Sequence, residues 1–257
     1  MDGVLSISIC RMTDVICRIL GDRAPSVYLH GSAAVGDYRE GWSDIDLLVL
    51  TEQTIDPAQA QRLVGLRQTL GDPVFRAFEG GMLSLEAFLQ NTPDRVVYWG
   101  TSGERITDRY DFNSLSRLDL LENGVLLHGR EVRDRMHRPT AAELRADIAA
   151  HLDTVRRYAH LTGKSLYTFG WLLDISRCLN TLRTGGILPK TKAGEWALSE
   201  GLCPVPEALA LALRARKEPL VYGRAQVVLD RAGALNRDIQ RYGDVLEAAL
   251  HAAGNGN

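Results

Sequence analysis

Apolar residues recur at Leu5, Ile9, Met12, Ile16 and Ile19, steps of three and four that predict an amphipathic helix over residues 4–20, stopped by Gly21. Two short apolar runs follow, Ser26–His30 and Asp44–Leu50, each of strand length. Asp56-Pro57 supplies a cap and a first-turn proline for a helix running to Leu70, ahead of Gly71. Val74–Glu79 reads as a third strand ended by Gly80-Gly81; residues 95–99 and 125–128 read as further strands, with a helix over Ser114–Glu122 between them. Strands alternating with helices predict a mixed β-sheet flanked by helices.

The pattern changes at Pro139. Thr140 and Glu143 form a Ser/Thr-x-x-Glu capping box, and helical periodicity then dominates residues 140–161, 166–184, 193–200, 205–217 and 223–252. Gly185-Gly186 and Gly201 sit where carboxy-terminal caps belong. The expectation is an α+β chain of two domains: residues 1–138 built on the sheet, and residues 139–257 forming an α-helical bundle.

Composition narrows the partners. The 257 residues suffice for one large or two ordinary domains with a real core. Thirty Lys and Arg against 32 Asp and Glu leave a formal charge of -2, which argues against a dedicated nucleic-acid binder. No run spans a bilayer, and the amino terminus, Met-Asp-Gly, is not a basic-then-apolar leader. Cys10, Cys17, Cys178 and Cys203 show no Cys-x-x-Cys spacing, so free thiols in a reducing cytoplasm are expected rather than a zinc site. The expectation is a cytoplasmic monomer with neither membrane nor nucleic acid as partner.

The chemistry concentrates in residues 26–50, where Gly31-Ser32 follows the first strand and Asp44-Ile45-Asp46 opens the second. Residues i and i+2 of a strand share a face, so Asp44 and Asp46 project together. Two adjacent carboxylates repel unless a cation lies between them, and hard oxygen donors favour Mg²⁺. Gly31 lets the backbone come close to a ligand; Ser32 offers a hydroxyl and an amide at a helix start, where a phosphate is well received. A lone Asp-x-Asp is an ordinary surface pair. Here the turn, the loop and the strand coincide.

A metal-holding carboxylate pair becomes a reactive site only beside a base or a third ligand. Glu79 is the candidate, beside apolar Phe78 and ahead of two glycines, with Glu86 as competitor. Cations must offset the charge of a triphosphate. Arg177, in the apolar helix Trp171–Leu179, and Lys190, after Pro189, are candidates, although on these residues alone an ion pair with Asp174 at i−3 is the better account of Arg177.

The Gly31-Ser32 turn with Ser43-Asp44-Ile45-Asp46-Leu47-Leu48-Val49 resembles the nucleotidyltransferase signature. With Arg76-Ala77-Phe78-Glu79 and with Ser176-Arg177 followed thirteen residues on by Lys190, the whole chain resembles bacterial aminoglycoside adenylyltransferases of the streptomycin 3″-/spectinomycin 9- type. That resemblance implies that ATP is the co-substrate, lying between the two domains, and that two Mg²⁺ ions sit on Asp44, Asp46 and Glu79. It implies that Glu79 is the catalytic base, and that Gly31, Ser32, Ser43, Arg177 and Lys190 bind the nucleotide. It further implies AMP transfer to a hydroxyl of an aminoglycoside-like antibiotic, a resistance activity. Streptomycin-modifying members carry acidic residues and a tryptophan ahead of the arginine-bearing helix. Here that stretch is His160–Tyr167, with Lys164 and no carboxylate; Asp153, Asp174 and Glu195 are the acids that could stand in from elsewhere. Trp99 falls where the family uses a tryptophan, although core packing explains it, as it does Trp171 and Trp196. A protein acceptor, a nucleotide-binding regulator without turnover, and a nucleic-acid polymerase are the other readings.

Overall fold

Alternation along the strands gives the sheet two differently covered faces. The structure, a computed structural model, describes residues 3–254; Met1 and Asp2 of the amino-terminal reading, and residues 255–257 of the second expected domain, lie outside them. Strands β1 (Ser26–His30), β2 (Ile45–Thr51), β3 (Phe78–Ser84), β4 (Val96–Gly100), β5 (Gly103–Thr107) and β6 (Val125–His128) form one sheet in the order β5-β4-β3-β2-β1-β6. The β2–β3 pair is parallel and the other pairs are antiparallel, so the sheet is mixed.

The flanking helices of this half are α1 (Gly3–Leu20), α2 (Gly31–Ala34), α3 (Pro57–Val64), α4 (Leu66–Thr69), α5 (Leu85–Leu89) and α6 (Ser114–Asn123). Leu29, Ile45, Leu47, Phe78, Met82 and Trp99 line one sheet face and are buried with Leu5, Ile9, Met12 and Ile16 of α1 and with Ala60 and Leu63 of α3. Tyr28, Leu48, Leu50 and Leu83 line the other, with Leu120 of α6, Val132 and Met136. Each fully buried Leu, Ile or Met side chain contributes roughly 1.5–3 kcal/mol over its exposed state, so both faces anchor the strands firmly. By the same alternation His30, Asp46 and Glu79 belong to the second face.

Local structure departs from the sequence reading in four places here and in the helical half. The helix expected over residues 57–70 is divided at Gly65 into α3 and α4. The third strand begins at Phe78, not Val74: Asp72 accepts from the Val74 amide and caps a 3-10 turn over Pro73–Ala77. Gly80-Gly81 lie inside β3 instead of ending it. Strand β5 has no counterpart in the expectation, because it is a largely exposed edge strand with no apolar alternation.

Packing divides the chain into two compact units. The first takes in residues to Tyr38, Asp44–Phe112 and Asp119–Arg138; the second takes in Arg39–Ser43, Asn113–Leu118 and the chain from Pro139 onward. The second unit is helical: α7 (Ala141–Tyr158), α8 (Leu166–Thr184), α9 (Lys190–Ser199), α10 (Pro206–Lys217), α11 (Pro219–Tyr222), α12 (Gln226–Gly233) and α13 (Asn236–Gly254). The Thr140–Glu143 capping box opens α7, and Gly185, with φ of 69°, closes α8. Helix α9 starts at Lys190, three residues earlier than expected, and the single helix expected over residues 223–252 is broken at Ala234-Leu235. Phe169, Leu172, Leu173, Ile175 and Leu179 of α8 form the centre of this core. Trp42 is buried in the same cluster, with the Arg216 guanidinium 5.7 Å from its ring centroid. All four cysteines are free, and among the described residues no helix is long and apolar enough to cross a membrane.

Candidate active site

The first unit gathers its acidic residues at one end of the central strands. Asp46 is the register partner of Glu79 on parallel β3 and of His30 on antiparallel β1, so the three form a row across β1, β2 and β3. Asp44 stands just before β2. Burial, followed by the charges of Asp44 and Asp46, raises the Glu79 carboxyl from 4.5 to about 7, against the opposing pull of Arg67 and of a backbone hydrogen bond from Thr101. Glu79 is thus near the start of its strand, not at its end, and lies on the opposite sheet face from its chain neighbour Phe78.

Two glycines are required by close approach. At Gly31, with φ of 65°, a Cβ would lie 2.2 Å from Asp46 Oδ2, so only glycine brings the turn against that carboxylate. Gly80, with φ of 142°, has the Leu47 carbonyl oxygen 1.7 Å from the position of a Cβ. Gly80 therefore serves the packing of β3 against β2. Over Gly81 lies the ring of Tyr110, which stacks on Phe112 with centroids 6.0 Å apart; Phe112 in turn meets the His30 ring edge-on at 5.5 Å.

The surrounding polar groups are arranged around backbone. The Gly31 amide donates to Asp119 Oδ2 at 2.7 Å, and Asn123 Nδ2 donates to Asp119 Oδ1 at 2.9 Å. Ser32 is half-buried, and its carbonyl accepts from the Asp37 amide at 2.9 Å. The Ser43 hydroxyl accepts from the Arg39 amide at 3.0 Å, closing a tight turn over Arg39–Ser43. Arg67 pairs with Glu104 at 2.7 Å and donates to the Phe78 carbonyl at 2.6 Å, bracing the peptide that carries Glu79. Glu86 lies apart: its side chain is 62% exposed and pairs with Arg135 at 3.6 Å.

Arg177 and Lys190 belong to the second unit, where both meet Asp174. Lys190 Nζ lies 3.0 Å from Asp174 Oδ1, and Arg177 NH2 lies 3.4 Å from the same oxygen. Burial alone would raise the Asp174 carboxyl, but Lys190, Arg177 and His151 outweigh it and hold it at about 2. Trp99 is a core residue that donates to the Leu63 carbonyl at 3.1 Å, and Glu195 is taken up by Lys217 at 2.7 Å.

The donor set fits a hard divalent cation. Among the described residues no three His, Cys, Asp or Glu side chains are gathered closely enough to hold a metal by themselves. Mg²⁺ does not require that. It is ordinarily held by one or two carboxylates, with phosphate oxygens and water completing its shell. The mutual repulsion that raises Glu79 is what a cation at Asp44 and Asp46 would relieve.

Arg67, Tyr110 and Asp119 escape sequence reasoning. Arg67 acts on the backbone eleven residues on and Asp119 on the backbone 88 residues back, and a lone arginine or aspartate in a helix carries no signal for either. Tyr110 lies in the loop after β5, where neither strand nor helix periodicity signals that its ring covers Gly81.

Two family models match the chain: a nucleotidyltransferase domain over residues 9–73, and the C-terminal domain of aminoglycoside adenylyltransferases over residues 140–228. The first takes in Gly31, Ser32, Ser43, Asp44 and Asp46 and stops short of Glu79; the second takes in Asp174, Arg177 and Lys190. Comparison with curated protein sequences gives no significant match. Among solved structures the fold is similar to that of spectinomycin adenyltransferase AAD(9) from Enterococcus faecialis, solved with ATP and spectinomycin. The likeness has a TM-score of 0.65 at 15% identity and covers 92% of this chain and 97% of that one. The chain is thus an adenylyltransferase by the likeness of its two halves, the first similar to a nucleotidyltransferase domain and the second to the C-terminal domain of aminoglycoside adenylyltransferases.

Proposed function

We propose that the protein moves AMP from ATP to a hydroxyl of an aminoglycoside-like antibiotic and releases pyrophosphate. The observation that carries this reading is the placing of Glu79 beside Asp46 across β3 and β2, with Asp44 just ahead of the strand, in a chain whose second half matches the aminoglycoside adenylyltransferase C-terminal domain. A carboxylate held at the acceptor hydroxyl can act as general base toward it. Ionised Glu79 accepts the acceptor's hydroxyl proton, the oxygen attacks the α-phosphorus, and the bond from that phosphorus to the bridging oxygen of pyrophosphate breaks.

Asp44 and Asp46 would hold Mg²⁺, two ions in the complete complex. When bound, the metal supplies charge neutralisation along the triphosphate and at the leaving oxygen. Gly31, Ser32 and Ser43 are assigned to the nucleotide, and Arg177 and Lys190 to its phosphates. The protein's contribution is positioning and preset charge, with no covalent enzyme intermediate. The similar enterococcal protein, solved with ATP and spectinomycin, supports both co-substrate and acceptor class.

The test is pyrophosphate release from Mg·ATP against a panel led by spectinomycin and streptomycin. Release with at least one drug is expected, and Asp46→Asn should abolish it. Full turnover by clean Asp46→Asn protein would overturn the mechanism. Tight ATP binding with no release across the panel would overturn the antibiotic as acceptor.

A further inference from the structure

The helical unit places an unusual group at the two assigned phosphate cations. Asp174 lies on α8 with its side chain only 12% exposed, while the Lys190 and Arg177 side chains are each 29% exposed. Lys190 straddles the carboxylate, with Nζ 3.0 Å from Oδ1 and 3.1 Å from Oδ2. One residue can reach both cations because Gly185 ends α8 and Pro189, with φ of -56°, starts α9 so that Lys190 is its first residue.

Two cations on one carboxylate leave a net positive charge. The Arg177 Nε donor is buried without a hydrogen-bond partner, where buried donors are nearly always satisfied. Around the group stand His151 and Trp171, with ring centroids 6.1 Å apart. Burial, with Arg177 and Lys190, lowers the His151 pKa against the pull of Asp174. A self-sufficient structural ion pair would need one cation and would satisfy its donors. This arrangement has a surplus of both charge and donor capacity.

We propose that Asp174 is a positioning residue: it holds the Lys190 ammonium and the Arg177 guanidinium side by side, so that the two receive the nucleotide's phosphates as one preset anion receptor. This rests on the assignment of those cations to the triphosphate. Without the carboxylate, two like charges separate and the long lysine chain must be ordered anew when ATP binds. Holding one such side chain in advance is worth up to about tenfold in affinity.

The experiment is calorimetric titration of Mg·ATP into the full-length protein as wild type, Asp174→Asn, Lys190→Met and the double variant. Thermal unfolding of each is measured alongside. Asp174→Asn is expected to weaken ATP about tenfold, and to add less than about twofold once Lys190 is already Met, since the two act as one unit. Unchanged or tighter binding by Asp174→Asn would overturn the proposal, as would an equal loss in both backgrounds. If Asp174→Asn does not fold, Asp174→Glu decides. It keeps the charge but moves the carboxylate by a methylene, and binding weakened about threefold is expected; wild-type affinity would overturn the proposal. Lys190→Met and Arg177→Met that both bind ATP normally would instead remove the phosphate assignment itself, and this proposal with it.

Discussion

At the scale of single residues, the chain stores an electrostatic cost at Glu79. Its folded carboxyl titrates at about 7 and its ordinary value is 4.5, so between those pH values the folded protein binds more protons than the unfolded chain. Stability therefore falls as pH rises through that window, and the penalty is fully present above pH 7. Glu79→Gln removes it. In metal-free buffer the variant should melt at a higher temperature than wild type at pH 8 and lose that advantage toward pH 4. Equal melting at both pH values would mean that neither burial nor the neighbouring carboxylates raise Glu79. The Asp44-Ile45-Asp46 alternation was legible in the sequence because a period of two admits one reading, and Ile45 is indeed buried between two half-buried aspartates. The approach of Gly31 to Asp46 was legible only as a permission, since the loop between them hides the contact.

At the scale of elements, the reading held where the ends of a segment are marked by caps or turns and failed where a turn interrupts an apolar run. Helix α8 matches its expected span to the residue, because an apolar pattern between Ser165 and Gly185 leaves little freedom. The start of β3 was misread because Val74, Phe75 and Ala77 look like a strand, whereas Asp72-Pro73 turns them into a 3-10 segment that buries Phe75 beside α1. Gly80 explains the other error. A glycine in a strand ordinarily marks an end or a bulge, but here it makes room for the neighbouring Leu47 carbonyl. Gly80→Ala should accordingly cost more than about 4 kcal/mol in denaturant unfolding, because the obstruction is backbone and the conformation is strained as well. A loss below about 1 kcal/mol would show that β2 and β3 can separate there without consequence.

At the scale of the whole molecule, the change of pattern at Pro139 does not account for every core residue of the helical unit. Trp42, Leu115 and Leu118 come from the first half of the sequence and are buried among the helices. Periodicity finds helices in order along the chain, and it has no means of showing that a five-residue turn such as Arg39–Ser43 packs with helices a hundred residues later. Trp42→Ala should destabilise the helical unit by about 3–5 kcal/mol in denaturant unfolding followed by circular dichroism. A loss under about 1 kcal/mol would mean that residues from Pro139 onward hold their core unaided. The cations Arg177 and Lys190 lie on α8 and at the start of α9 of this unit, so its integrity bears directly on the proposed chemistry.

The most direct test of that chemistry follows the AMP group itself. Wild type and Glu79→Gln would each be incubated with Mg·ATP labelled at the α-phosphorus and with spectinomycin or streptomycin, and the products separated by size and weighed. The account predicts a drug molecule heavier by one AMP with wild type. With Glu79→Gln it predicts a rate lower by about 100-fold or more, the share of a positioned base, with ATP binding retained. Label appearing only on protein, or transfer at the wild-type rate by Glu79→Gln, would contradict it.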